Sequence, residues 1–192
     1  MAATAIRIID LLPEDEKAVN QTAALLIEGF REHNPVSWPD MEKALEEVRE
    51  SFQDDRISRV AVDEEGNVLG WIGGIHLHPQ YQGRLWELHP VVVQPSRQRQ
   101  GIGRALVKDL DEQIFQRGGA VIYLGTDDED NMTTVAGIDL YPDVLEHLLN
   151  IKNIKGHPYE FYQKMGYTIV GVMPDANGPG QPDIYMAKRV GR

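Results

Sequence analysis

Residues 85–116 carry the feature that most restricts the fold: a strand-like run, a glycine turn and an amphipathic helix in direct succession. Leu85-Trp86-Glu87-Leu88-His89 alternates apolar with polar, and Val91-Val92-Val93 continues the run beyond Pro90. Proline has no N–H to give a ladder, so Pro90 predicts a bulge or a sheet edge at that point. Gln98-Arg99-Gln100-Gly101-Ile102-Gly103-Arg104 then leads into apolar positions at Ile102, Leu106, Leu110 and Ile114, which is helical spacing. Gly118-Gly119 ends that helix, and Ala120-Val121-Ile122-Tyr123-Leu124 reads as a buried strand. Strand, helix and strand in sequence require a layered α/β architecture.

The rest of the chain extends this plan. Ala5-Ile6-Arg7-Ile8-Ile9 predicts a first strand. Pro13-Glu14-Asp15-Glu16 opens a helix with proline in its first turn and acids at its positive end, and Leu25, Leu26 and Phe30 give it an apolar face. A loop over residues 34–40 precedes a second helix whose apolar positions are Met41, Leu45, Val48 and Phe52. Strands at 59–62 and 68–76 form a hairpin about the turn at 63–67. Residues 127–153 are an insertion containing a helix over 142–149; a short helix at 158–165 and strands at 167–172 and 184–187 follow. With no repeat, low-complexity tract or linker, residues 1–192 are expected to form one domain: an α/β fold with a mixed, mostly antiparallel central sheet flanked by helices.

Composition removes several functions. The chain has no cysteine, so disulfides, thiolate metal sites and a cysteine nucleophile are excluded. Thirty acidic residues against nineteen basic give a formal charge of -11, a poor match to nucleic acid, which is bound through cationic patches. Such a surface either attracts cationic ligands or merely keeps the chain soluble. No apolar run is long enough to cross a bilayer, and residues 1–7 lack the pattern of a secretory signal, so a cytoplasmic protein with no membrane partner is expected. The six histidines show no ligand spacing, so no metal is expected.

The glycine turn suits an anion, because a helix start offers unpaired N–H groups and a partial positive charge. It is not a dinucleotide fingerprint, since Leu106 stands where a third glycine is needed, and it lacks the Gly-Lys-Ser/Thr of a Walker loop. Gln98, Gly101 and Gly103 fit the pattern Gln/Arg-x-x-Gly-x-Gly/Ala and resemble the pyrophosphate-binding turn of the GNAT acetyltransferase superfamily. That resemblance implies acetyl-coenzyme A as cosubstrate, with its pyrophosphate on the backbone of Gln98, Arg99, Gln100, Gly101, Ile102, Gly103 and Arg104. It also implies that Val91, Val92 and Val93 pair with the pantetheine arm, in a slot opened by splayed central strands.

The segment His157-Pro158-Tyr159-Glu160-Phe161-Tyr162-Gln163-Lys164-Met165-Gly166-Tyr167 resembles a second GNAT signature, with Tyr162 at the tyrosine placed near the coenzyme A sulfur. The asparagine of that signature, seven residues earlier, is replaced by Lys155. Trp86-Glu87-Leu88-His89-Pro90, Arg117-Gly118-Gly119, Tyr123-Leu124-Gly125-Thr126-Asp127-Asp128 and Pro182-Asp183-Ile184 are similar to aminoglycoside 6'-N-acetyltransferases of the chromosomal enterococcal type. The resemblance is dense over residues 86–188 and looser over the first 80, and it implies an aminoglycoside acceptor, antibiotic resistance and a homodimer.

Acyl transfer to an amine requires removal of a proton from an ammonium, a donor for the oxyanion and a proton source for the leaving thiolate. Glu87 and His89, two apart on a strand, share a face. The resemblance makes Glu87 the carboxylate that holds or deprotonates the amine, directly or through water, with His89 assisting. The N–H near Val91 becomes the oxyanion donor and Tyr162 the acid. Asp127 and Asp128, continued by Glu129 and Asp130, either bind further ammonium groups of a polycationic sugar or form a solvated turn. The same machinery would serve a polyamine, another small amine or a protein N-terminus; a non-catalytic coenzyme A-binding module would have lost the residues at Glu87 and Tyr162.

Overall fold

The computed structural model describes residues 6–33, 35–77 and 84–191, so the expected strand residue Ala5 and loop residue Asn34 lie outside the described residues. These fall into two compact units. One runs to Ala120 and takes in Val190 and Gly191; the other spans Val121–Arg189.

The first unit contains β1 (Arg7–Asp10), α1 (Glu16–Phe30), α2 (Met41–Glu50), β2 (Arg56–Val62), β3 (Val68–Leu77), β4 (Leu85–Val93) and α3 (Ile102–Gln116). Its strands lie in the order β1-β2-β3-β4, and each neighbouring pair is antiparallel. Helix α1 begins later than Pro13 predicts. Pro13 and Glu14 form a turn, and Asp15 caps the helix by accepting the Ala18 N–H at 3.0 Å. A capping carboxylate on an otherwise unfilled N–H stabilises a helix start by about 1 kcal/mol, and here that position wins over proline's preference. Asp40 caps α2 in the same way, on the Lys43 N–H at 3.0 Å.

Helix α2 turns three of its four expected apolar positions inward: Val48 is buried and Leu45 and Phe52 pack against the core, while Met41 stands outside it. Ala44 and Val48 are fully buried, whereas Met41 is 39% exposed. The inward face therefore also takes in Ala44, Glu47 and Ser51, beside the expected Leu45, Val48 and Phe52. Ser51 hydrogen-bonds the Ser58 hydroxyl on β2 at 2.9 Å, and the same hydroxyl accepts from the Trp71 indole at 2.9 Å. This polar tie brings Ser51 to the sheet in place of a larger apolar side chain. Leu25, Leu26, Val48, Val60, Val62, Trp71 and Val92 make the core on that face. On the opposite face, Ile102, Leu106, Leu110 and Ile114 of α3 are all buried, as their spacing predicts.

Pro90 sits at a bulge, as expected. Ile72 is opposite Val91 and Gly74 is opposite Leu88, so Gly73 alone faces both His89 and Pro90. A Cβ on Gly73 would collide with the His89 carbonyl oxygen, which is why glycine stands across from the extra residue.

The second unit holds β5 (Val121–Asp127), α4 (Val144–Leu149), α5 (Tyr159–Lys164), β6 (Thr168–Met173) and β7 (Asp183–Arg189). Its strands are ordered β5-β7-β6, again antiparallel. The expected helix over 142–149 starts at Val144, with Asp143 at its cap position. Between β5 and α5 the chain is mostly loop, closed by a bridge between Thr133 and Asn153.

Candidate active site

The turn after β4 is built to present backbone donors. One turn of 3-10 helix at Pro95–Arg97 reverses the chain, and the Gln98 side-chain amide donates to the Val93 carbonyl at 3.4 Å, fastening turn to strand. Arg99 and Gly101 both adopt left-handed backbone, with φ of 61° and 92°. Gly101 is the N-cap of α3, and open space lies where its Cβ would be, so glycine is required there by dihedral and not by crowding. The first bond of α3 runs from the Ala105 N–H to the Gly101 carbonyl. The N–H groups of Ile102, Gly103 and Arg104 thus precede any helical acceptor, at the positive end of a 15-residue helix. Residues 94–108 contain Arg97, Arg99, Arg104 and Lys108 and no acid, a local reversal of the chain's negative charge. These features fit a phosphate-bearing ligand.

On β4, the Gln94 N–H donates to the Leu69 carbonyl at 2.9 Å. Antiparallel alternation then turns the peptide groups of Val92 toward β3 and those of Val91 and Val93 away from it. The Gln98 bond to the Val93 carbonyl agrees with that direction. The Val91 N–H, expected as an oxyanion donor, accordingly faces away from β3.

Glu87 and His89 lie on the α2 side of the sheet. Glu87 is half-buried and opposite Ile75; His89 is more exposed, its side chain 44% accessible. A cleft on this face is lined by Glu47, Glu50, Arg56, Gly73, Ile75 and His89. His89 Nε2 lies 3.9 Å from Glu47 Oε1, and its ring centroid is 6.3 Å from that of Trp38. Sequence reasoning missed Glu47, reading α2 only for its apolar stripe. The available signal was its place three residues after Ala44, on the inward face.

The acids after β5 divide in two. Asp127 is exposed, its carboxylate accepting from the Asn177 amide at 2.7 Å. Asp128 is 1% exposed and both of its oxygens are occupied, by the Met132 N–H at 2.7 Å and the Thr133 N–H at 2.8 Å. Asp128 therefore organises the loop, buried and with a backbone N–H on each oxygen. Glu129 is pushed up from the ordinary carboxylate range by burial and by Asp127 and Asp130.

Beside them, His157 is buried. Its Nδ1 accepts the Tyr159 N–H at 3.2 Å, so Nε2 carries the proton and donates to the Asp127 carbonyl at 3.0 Å. Burial lowers its pKa, holding the ring neutral. Asn153 accepts from the Gly156 and His157 N–H groups at 2.8 and 2.7 Å and shapes the entry to α5, while Lys155 donates to the Asp130 carbonyl at 3.2 Å. On α5, Tyr162 is 7% exposed and meets the rings of Phe161 and Tyr167 edge-on at 5.2 and 5.7 Å. Burial pushes its phenol up from the ordinary value, so it keeps its proton throughout the neutral range.

The model of the acetyltransferase (GNAT) family matches residues 23–141. Among solved structures, the chain is similar to an aminoglycoside 6'-N-acetyltransferase complexed with coenzyme A, at 42% identity over 95% of this chain and 96% of that one, with a TM-score of 0.83. The aminoglycoside 6'-N-acetyltransferase from Enterococcus faecium gives the same values. The ribosomal-protein-S18-alanine N-acetyltransferase from Escherichia coli shares the fold alone, with 16% identity over 98% of this chain and 96% of that chain and a TM-score of 0.61. Among the curated proteins, no significant match was found.

Proposed function

The chain belongs to the GNAT acetyltransferase family, and from that premise we propose that it transfers the acetyl group of acetyl-coenzyme A to the 6'-amine of an aminoglycoside. The observation that carries this reading is the 42% identity, over 95% of the chain, to an aminoglycoside 6'-N-acetyltransferase complexed with coenzyme A. It takes residues 1–192 as one catalytic domain, in keeping with the extent of that match.

In this mechanism the amine attacks directly in a ternary complex. The N–H groups of Ile102, Gly103 and Arg104, with the neighbouring arginines, hold the pyrophosphate, and the outward peptide groups of Val91 and Val93 hold the pantetheine arm. An alkyl ammonium titrates near 10.4, so it must lose a proton before attack. Glu87 holds that ammonium and draws its proton, directly or through water, and His89 assists. The Val91 N–H donates to the oxyanion. Tyr162 donates a hydrogen bond to the departing sulfur. A thiol is a stronger acid than a phenol raised by burial, so complete transfer of the tyrosyl proton is uphill. Asp127, exposed as Asp130 is, is offered for a second ammonium.

A homodimer goes with this reading. Leu145 and Leu149 on α4 and Val170 and Met173 on the outer strand β6 are 48–86% exposed, an apolar surface of the kind that subunits cover. A cytoplasmic location also goes with it, because acetyl-coenzyme A is made and used inside cells, and conferred resistance would follow from the activity. Mass spectrometry of kanamycin incubated with the protein and acetyl-coenzyme A should show the gain of one acetyl group. No gain, together with turnover of another amine, would replace the acceptor. No heat of binding for coenzyme A in calorimetry would remove the reading altogether.

A further inference from the structure

We propose that Glu47 is a positioning residue for His89: the two form a carboxylate–imidazole pair in which Glu47 fixes the imidazole tautomer and makes His89 a proton acceptor. The proposal rests on the functional reading above and deepens it. His89 Nε2, not Nδ1, is the ring nitrogen directed at the carboxylate, at 3.9 Å from Oε1. That separation exceeds a hydrogen bond, but such contacts are commonly long without substrate and shorten when the complex closes. Glu47 is held in place because α2 turns the face of Ala44 and Val48 to the sheet and is tied there through Ser51 and Ser58. Its carboxylate is 27% exposed, so it is partly withdrawn from water while still reaching the cleft. Glu50 and Arg56 line the same cleft, and Arg56 Nε is engaged by Asp55 at 3.4 Å.

The chemical consequence follows from the direction of Nε2. A carboxylate facing Nε2 favours the tautomer with the proton there, leaving the lone pair on Nδ1. When the acceptor ammonium is activated, an N–H bond of the ammonium breaks as Glu87, directly or through water, takes the proton, and that proton then passes to Nδ1, where a new N–H bond forms. The imidazolium so produced lies against the Glu47 carboxylate, which offsets its charge. After acetyl transfer the proton leaves Nδ1 to solvent, through the exposed side of the ring. Glu87 is returned to its carboxylate form when the proton passes to Nδ1.

A double-mutant cycle on acetyl transfer from acetyl-coenzyme A to kanamycin tests the pair. Glu47→Gln should lower kcat about tenfold with KM within about twofold, and His89→Asn about tenfold or more. The double variant should be no slower than His89→Asn alone, because a positioning residue has nothing left to position. Glu47→Asp should restore part of the loss, and thermal denaturation should show all four variants folded. Full turnover in Glu47→Gln, or losses that multiply in the double variant, would overturn the pair while leaving the acetyltransferase reading intact. Full turnover in His89→Asn would overturn both the pair and the role given to His89. Absence of acetylation by the unaltered protein would instead remove the functional reading itself.

Discussion

Two acidic regions that look alike in sequence are used differently. On β4, half-buried Glu87 and exposed His89 stand on the α2 side of the sheet, His89 beside Glu47 on a cleft. After β5, Asp128 and His157 are buried and their polar atoms are spent on the chain's own backbone. A carboxylate with both oxygens committed to N–H groups shapes a loop; one with open lone pairs remains available to a ligand. The difference lies in what surrounds each acid and is invisible in the composition that both share.

The contrast can be broken most sharply at Glu87. Glu87→Gln should lower kcat about a thousandfold, within the range expected for loss of a general base, while coenzyme A affinity and thermal stability stay near those of the parent. Calorimetry and a melting curve beside the kinetics decide it; a large drop in stability with turnover intact would place Glu87 with the loop-forming acids. Asp128→Ala should do the reverse. Two backbone N–H groups lose a charged acceptor, and urea denaturation should show a loss of about 3 kcal/mol. If Asp128→Ala keeps its stability and loses aminoglycoside affinity, the division between the regions is wrong.

A third test uses pH. The folded-state pKa of His157 is depressed by burial, so the unfolded chain binds its proton first as pH falls. The stability it contributes is complete above its unfolded value of about 6.5 and declines as pH drops from there toward the folded value, with a slope of at most about 1.4 kcal/mol per pH unit. His157→Gln should flatten that part of the profile, measured by urea denaturation between neutral and mildly acidic pH. The smallest effect is expected at Gly101→Ala. Left-handed backbone at φ 92° costs an alanine about 1 kcal/mol, and the open space around the site adds nothing to it. A turn that must be re-formed for binding would weaken coenzyme A affinity about fivefold.

Periodicity made most of the elements legible. The α3 stripe of Ile102, Leu106, Leu110 and Ile114 is buried as spaced, and the bulge at Pro90 follows from a missing N–H. Four features were not legible, each for its own reason. Proline at position 13 and aspartate at 15 both signal a helix start, and only geometry shows that the Asp15 side chain reaches the Ala18 N–H. The inward face of α2 is wider than its stripe of Leu45, Val48 and Phe52, because a hydrogen bond to Ser58 draws Ser51 to the sheet while Met41 stays outside. Glu47 was missed with it, since its place three residues after Ala44 marks it as inward only once Ala44 is counted in the buried face. The loop-forming role of Asp128 was hidden because the N–H groups that bind it come from residues 132 and 133, and no motif announces that return of the chain.

The surplus residue opposite Gly73 gives β4 two parities in one strand. Up to His89, odd-numbered positions look toward α2; past Pro90, even-numbered Val92 does. Each stretch can therefore drift under its own selection, because a substitution that suits a new amine upstream leaves the three valines in phase. Lose that one residue and the phase propagates: Val91 and Val93 would turn to the face of α1 and α2 that Val92 now fills, and Val92 to the face of α3. A single position thus insulates the half of the strand free to diversify from the half that cannot.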